Sequence, residues 1–328
     1  LLLDLMTEEG IMGRSYIFCY LPMVAIALRG LLDQMLALVK GDEVVPYVLG
    51  RKLAGHFRLV GSGGIISMAL AALDMAFWDS IAVAAGVPLS ILLGGTPVGI
   101  QGYNSNGLGM MPAAAAADEA EELLAGGFRA IKLRLGHPTA EKDVEVTRAV
   151  RQRVPSRIHL MVDYNQALTP AEAVYRGRLL DQESIYWIEE PIRHDDYLAN
   201  AAVARELKTP VQLGENLEGL LAVTKAISAQ ATDYLMFDVQ RVGGVTGWLQ
   251  AISVAAAARI EVSSHLYPEI SVHLLSITPT CHWLEYVDWA SPILIEPLRV
   301  VDGLVVPLDA PGIGLRWNYD AVARYRIS

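Results

Sequence analysis

From residue 98 onward, short apolar runs alternate with longer segments whose apolar positions recur every three or four residues. The runs at 100–104, 130–135, 158–164, 186–189, 211–215, 234–238, 260–264 and 283–286 read as eight strands. They are apolar almost throughout, the pattern of strands buried on both faces. Segments such as 114–125, 140–154, 170–181 and 245–258 read as the helices between them. A strand followed by a helix, eight times over, predicts an α/β fold: a parallel sheet closed into a (β/α)8 TIM-type barrel over residues 96–300. The first 95 residues follow a different pattern. Runs at 1–6 and 11–20 flank a Glu8-Glu9-Gly10 turn and predict a hairpin, while 21–40, 45–57 and 64–84 carry helical spacing. They predict a small α+β capping domain over 1–95, joined to the barrel by Gly94-Gly95-Thr96-Pro97, with a C-terminal segment, 301–328, returning to the cap.

Ionisable residues break this pattern at one place in each unit. Asp163 ends HLMVD, Glu189 ends YWIE, Glu215 ends VQLGE, Asp238 ends YLMFD, His265 ends EVSSH and Glu285 follows HWL. Their successive separations are 26, 26, 23, 27 and 20 residues, one per βα unit, so a barrel carries all six to its carboxyl-terminal rim. A single acid at a strand end is ordinarily a helix cap. Six in the same phase point to a site.

Asp163, Glu189 and Glu215 come from consecutive strands, and three converging carboxylates repel unless a cation joins them. Hard oxygen donors without His or Cys favour Mg²⁺, with Mn²⁺ as the alternative. Asp238 and His265 stand on the next two strands. A carboxylate bonded to one imidazole nitrogen fixes the tautomer and leaves the other nitrogen free to take a proton. Lys132 and Arg134 alternate on strand two and so share one face. Lys132 can neutralise a substrate carboxylate or act as a base, whereas Arg134, ionised at any ordinary pH, is an anion clamp and a poor base. Glu190 follows Glu189 in an extended strand and is expected on the opposite side, in a salt bridge or outside the ligand shell. The remaining histidines, His137 and His282 among them, lack such partners and read as structural. Gly61-Ser62-Gly63-Gly64 and Gly243-Gly244-Val245-Thr246-Gly247 fit no nucleotide fingerprint and read as turns, the second keeping some interest as an anion site.

The net charge of −10 and the absence of a Lys/Arg run argue against partners bound through nucleic-acid phosphates or anionic membrane surfaces. No apolar stretch runs uninterrupted for the roughly 20 residues of a membrane span. Cys19 and Cys281 match no metal spacing and read as free thiols of a reducing cytoplasm. There is no basic leader, and Leu1-Leu2-Leu3 begins within a strand, so residues are expected ahead of it.

The segments FRAIKLRLG (128–136), MVDYNQAL (161–168), WIEEP (187–191), GEN (214–216), RVGGVTGW (241–248), SSHLYPEISVHLL (263–275) and TPTCHWLE (278–285) resemble the mandelate racemase branch of the enolase superfamily. The likeness runs from about Leu3 to the C-terminus. It implies that Asp163, Glu189 and Glu215 hold Mg²⁺, that Asp238 and His265 exchange an α-proton from one face, and that Lys132 and Glu285 bind the substrate carboxylate. It further implies that Glu285 donates as an acid, that Asn165 and Ser105 contact substrate hydroxyl and carboxylate groups, and that Phe18 and Tyr20 close the pocket. The family pattern on strand two is Lys-x-Lys, and Arg134 replaces the second lysine, the base on the other face. The resemblance therefore implies a Mg²⁺-dependent racemase or epimerase of a 2-hydroxycarboxylate working through an ene-diolate. An acid-sugar dehydratase using His265 alone is the alternative that Arg134 suggests, and a non-catalytic metal-binding homologue is a third. It also implies a homo-oligomer, an octamer among the options, and a first cap strand lying before Leu1.

Overall fold

The computed structural model describes residues 1–326, so the last two residues of the 301–328 segment lie outside the described residues. The cap begins with an antiparallel hairpin, β1 (Leu2–Met6) and β2 (Met12–Tyr16), paired from Leu2 opposite Tyr16 to Met6 opposite Met12. Helices α1 (Pro22–Val39), α2 (Pro46–His56), α3 (Ile65–Ala85) and α4 (Leu89–Leu92) follow, two of them opened by a proline whose missing N–H is no loss in a first turn. The α1 and α3 helices are long and apolar enough, by length and composition, to cross a bilayer, which the interrupted runs had not suggested. In α3 the apolarity serves the core, for this helix lies under the hairpin and is buried on nearly every side.

Eight parallel strands follow: β3 (Ile100–Asn104), β4 (Ala130–Arg134), β5 (His159–Asp163), β6 (Ile185–Glu189), β7 (Val211–Leu213), β8 (Tyr234–Asp238), β9 (Val262–His265) and β10 (Leu284–Tyr286). Neighbours pair in sequence order, and β10 pairs with β3 to close the ring. Its contact with β9 is made by Ser264 N donating to Trp283 O and His282 N to Val262 O. The outer helices are α5 (Ala113–Glu122), α6 (Ala140–Arg153), α7 (Pro170–Leu180), α8 (Tyr197–Glu206), α9 (Gly219–Ser228), α10 (Val239–Val242), α11 (Gly244–Ala257) and α12 (Pro268–Leu275). Among the described residues no outer helix of this kind follows β10. The chain adds an antiparallel pair, β11 (Arg299–Val301) and β12 (Leu304–Val306), to β3, and ends in α13 (Tyr319–Tyr325).

Carboxylates fasten these layers, Asp79 and Asp74 buried and Asp4 exposed. Asp79 of α3 accepts from Arg14 N of β2 at 2.7 Å and from Ile313 N of the C-terminal segment at 2.6 Å. Asp4 accepts from Trp317 Nε1 at 2.8 Å and Tyr319 OH at 2.9 Å, so the chain's last described turn sits on its first strand. Asp74 accepts from Thr246 N at 2.9 Å and Thr246 Oγ at 2.5 Å, tying the cap to the N-terminus of α11. Gly244 is required there, because it has φ +74° and a Cβ would collide with the Asp74 carboxylate. An acid thus already fills the helix end that might have drawn an anion, and Glu218 likewise holds Gly64 N. Both glycine-rich motifs are turn chemistry.

Candidate active site

The strand register carries the ionisable residues to one rim. Asp163 is level with Glu189 across β5 and β6, and Asp238 with His265 across β8 and β9. Glu215 lies two residues beyond β7, where Gly214, at φ +140°, turns the chain so closely past Met236 O that no side chain would fit. Oxygens of Asp163, Glu189 and Glu215 fall within 4.8 Å of one another, and all three residues are buried. Burial, the charges of Asp163 and Glu215, and their incomplete compensation by Lys132 drive the Glu189 pKa well above the carboxylate range. This is a donor set of hard oxygens with surplus negative charge, and it fits a divalent cation of the magnesium kind.

Lys132 stands beside the trio and is fully buried. Its Nζ lies 2.6 Å from Glu189 Oε1, 2.8 Å from Glu285 Oε1 and 3.3 Å from Asp163 Oδ2. Burial alone would lower its pKa, but Glu189 and Glu285 outweigh burial and hold the ammonium charged. Glu285 is pushed upward by burial, yet Lys132 and His265 bring it well below the usual carboxylate range. It accepts from Lys132 and from Leu266 N at 2.8 Å. In this state Glu285 accepts on the side of the rim where the two cationic groups stand, and the donor role that the resemblance implied calls for its acid form.

His265 Nδ1 lies 2.7 Å from Asp238 Oδ2, the paired arrangement read from the strand ends. Its Nε2 faces the carboxylates, at 3.3 Å from Glu215 and 3.8 Å from Glu285. Desolvation opposes the imidazolium, but Glu215, Glu285 and Asp238 together carry the pKa to about 10. Asp238 Oδ1 accepts from Gln240 N at 2.7 Å and from Arg241 N at 3.2 Å, which fixes the carboxylate that orients the ring.

The other candidates divide. Asn165, at φ +43°, donates from its backbone N to Asp163 Oδ1 at 2.8 Å and from Nδ2 to Oδ2 at 3.1 Å, so it steadies that carboxylate at the rim. Ser105 Oγ accepts from Arg134 Nη2 at 2.9 Å, and Arg134 Nη1 donates to Ser105 O at 3.1 Å and Gly107 O at 2.7 Å. The guanidinium is spent on the β3–α5 loop. Phe18 and Tyr20 stack edge to face at 4.7 Å, and Trp289, which the sequence reading passed over, lies 5.2 Å from Phe18. Tyr20 is close enough to the rim that desolvation first, then the charges of Glu215 and Asp238, raise its pKa above the ordinary phenol value. Phe18 N is held by Tyr267 OH at 2.8 Å and Gln240 Oε1 at 3.1 Å, so the aromatic mouth is pinned to the loops of the Asp–His pair. Neither Tyr267 nor Gln240 was singled out in the sequence. Only their positions two residues beyond His265 and Asp238 could have marked them. Glu190 stands outside the ligand trio, as expected, but the backbone leaves the extended region at φ +36° and its carboxylate accepts from Asn216 Nδ2 at 2.8 Å with no salt bridge among the described residues.

A capped parallel barrel with a carboxylate trio, a buried lysine and an Asp–His pair on one rim is the scaffold of a metal-dependent barrel enzyme. Residues 115–321 match the family model described as enolase C-terminal domain-like, and residues 1–94 match the mandelate racemase/muconate lactonizing enzyme N-terminal domain. The chain belongs to the enolase superfamily, in its mandelate racemase subgroup. An enolase from alpha proteobacterium bal199 with bound magnesium superposes with a TM-score of 0.97 at 42% identity, covering 98% of this chain and 90% of that one. An enolase from Bradyrhizobium complexed with magnesium and mandelic acid superposes at 0.96 with 40% identity, covering 100% of this chain and 90% of that one. L-talarate/galactarate dehydratase of Salmonella typhimurium is 33% identical over 264 residues, which are 80% of this chain and 66% of that enzyme. Relatives of the chain are isomerases, cycloisomerases and dehydratases, and magnesium is the metal found in their structures.

Proposed function

We propose that this enzyme removes the proton α to the carboxylate of a small 2-hydroxy acid and then expels a β-hydroxyl, giving a 2-keto acid, as an acid-sugar dehydratase does. The observation that carries this reading is the asymmetry of the rim. One imidazole, held by Asp238, faces the carboxylates, while Arg134, at the position where a second base would stand, is engaged by three hydrogen bonds to residues 105 and 107.

Asp163, Glu189 and Glu215 would hold the Mg²⁺, which when bound supplies Lewis-acid stabilisation of the negative charge that grows on the substrate carboxylate. Lys132 would bind that carboxylate with its ammonium aimed at the developing ene-diolate, and Glu285 would meet it as a hydrogen-bond donor in the acid form that the arriving anion favours. Once a cation offsets the charge of Glu215 and its neighbours, which is what holds the imidazolium, His265 Nε2 would take the α-proton while its Nδ1–H is held by Asp238, a contribution of about 10²–10⁴ in rate. The same nitrogen can return the proton to the departing β-oxygen, so water leaves, and the enol product tautomerises to the keto acid. One base suffices for this sequence. Racemisation needs proton transfer on both faces, and an arginine engaged by Ser105 and Gly107 serves poorly on the second.

The second reading, racemisation or epimerisation, is favoured by the mouth. Phe18, Tyr20 and Trp289 offer three aromatic rings to whatever substituent the α-carbon carries. Incubating hydroxy acids and acid sugars with the enzyme and Mg²⁺ in D₂O separates the two. A 2-keto product supports dehydration. Deuterium at Cα with inversion and no keto acid supports racemisation. Neither product from any acid tested removes both.

A further inference from the structure

Glu190 is a fourth carboxylate at the same rim, and it is as deeply buried as the three beside it, at 1% exposure. Asn216 Nδ2 donates to Glu190 Oε2 at 2.8 Å and to Glu215 Oε1 at 3.1 Å. The two hydrogens of one amide therefore tie these acids together and fix how Glu215 is turned. The other oxygen of Glu190, Oε1, is buried and has no hydrogen-bond partner among the described residues. A buried carboxylate oxygen without a partner is costly, and the backbone adds to that cost by holding a glutamate at φ +36°. Glu190 does not join the oxygens that lie within 4.8 Å of one another, so it stands just outside the trio.

We propose that Glu190 and Asn216 are positioning residues of the cation site: Glu190 Oε1 accepts a hydrogen bond from hydration water of the cation, and Asn216 holds Glu215 in its ligating orientation. The inference rests on the reading of the trio as a cation site, and goes beyond it by adding two residues that touch neither metal nor substrate. Outer partners of this kind typically govern metal affinity by about 10–100-fold.

The test uses the full-length protein and Mn²⁺ itself as probe, with affinity read from the electron paramagnetic resonance of the free ion and stability read as the thermal midpoint in EDTA. In Glu190→Gln the expected result is an affinity at least tenfold weaker, with a metal-free midpoint equal to or above that of the wild type, since one of four crowded charges is gone. Asn216→Ala is expected to weaken Mn²⁺ as well, and less than additively when combined with Glu190→Gln. An affinity changed by less than tenfold in Glu190→Gln overturns the proposal and leaves the cation site standing. So does a weaker affinity accompanied by a lower metal-free midpoint, which is the mark of a purely structural role. Failure of the wild type to bind Mn²⁺ overturns the cation site and the proposal together.

Discussion

Replacing Lys132 with Gln tests the electrostatics of the rim at its most exposed assumption, that one buried ammonium offsets carboxylates that would otherwise repel. Its Nζ touches Glu189, Glu285 and Asp163 at 2.6, 2.8 and 3.3 Å, all out of contact with solvent. Removing one partner of a buried ion pair costs about 3–5 kcal/mol, because the remaining charge is left uncompensated. Domains of 150–250 residues lose about 2–4 °C of midpoint per kcal/mol, so Lys132→Gln should melt about 10 °C lower in EDTA. Glu189, already raised by burial and by the charges of Asp163 and Glu215, loses the cation that lowers it, and Glu285 loses the first of the charges that hold it down, so both move upward. Their penalty is absent at low pH and grows as pH rises, so the deficit should be smaller near pH 5 than near pH 8. Excess Mg²⁺ brings positive charge to the same oxygens and should raise the variant's midpoint by more than it raises the wild type's. Differential scanning fluorimetry across pH, with EDTA or Mg²⁺, reads all three effects. Equal midpoints in EDTA, or an equal gain from Mg²⁺, would refute the assignment of Lys132 as the charge that holds the rim together.

Burial pushes the Asp79 carboxyl up to about 6, against the opposing hydrogen bonds from Ile313 N and Arg14 N. That group contributes most below its ordinary pKa and loses about 3 kcal/mol as pH rises through 6. Asp79→Asn should therefore destabilise the protein more at pH 4.5 than at pH 8, and a pH-independent difference in urea midpoints contradicts it. Arg134→Lys gives up the forked contacts to Ser105 and Gly107, which should lower the melting midpoint by a few degrees. It should also add α-deuterium exchange for the enantiomer that the wild type leaves untouched, by way of an amine on the second face. NMR of each enantiomer in D₂O checks this, and unchanged enantiomer selectivity counts against the one-base account.

The barrel could be read from sequence because each strand is a short apolar run ended by one polar residue, and that punctuation repeats with the βα unit. The strand register then made the convergence of Asp163, Glu189 and Glu215, and of Asp238 with His265, follow almost directly. The partners of Lys132 were less visible, since they lie on strands far apart in the chain and depend on side-chain reach. Glu190 was rightly read as lying outside the ligand shell, but the period-two rule gave no sign of its contact with Asn216, because the backbone enters the left-handed region immediately after Glu189. Arg134 could be recognised as a departure, but its contacts with residues 105 and 107 are made by a loop whose path no periodicity encodes. The fastening of α3 to α11 through Asp74 was hidden because an acid in the middle of an apolar helix gives no sign of a partner 172 residues away.

The central claim is that His265, oriented by Asp238 and set against the metal-holding trio, takes a proton from a carbon next to a carboxylate. Its most direct measurement is the rate at which α-hydrogen is replaced or lost in D₂O with Mg²⁺, compared between the wild type and His265→Asn. The account predicts turnover that EDTA abolishes and that His265→Asn slows by about 10²–10⁴, with Mn²⁺ affinity and melting midpoint retained in the variant. Turnover in His265→Asn at the wild-type rate, or wild-type turnover indifferent to EDTA, would contradict it.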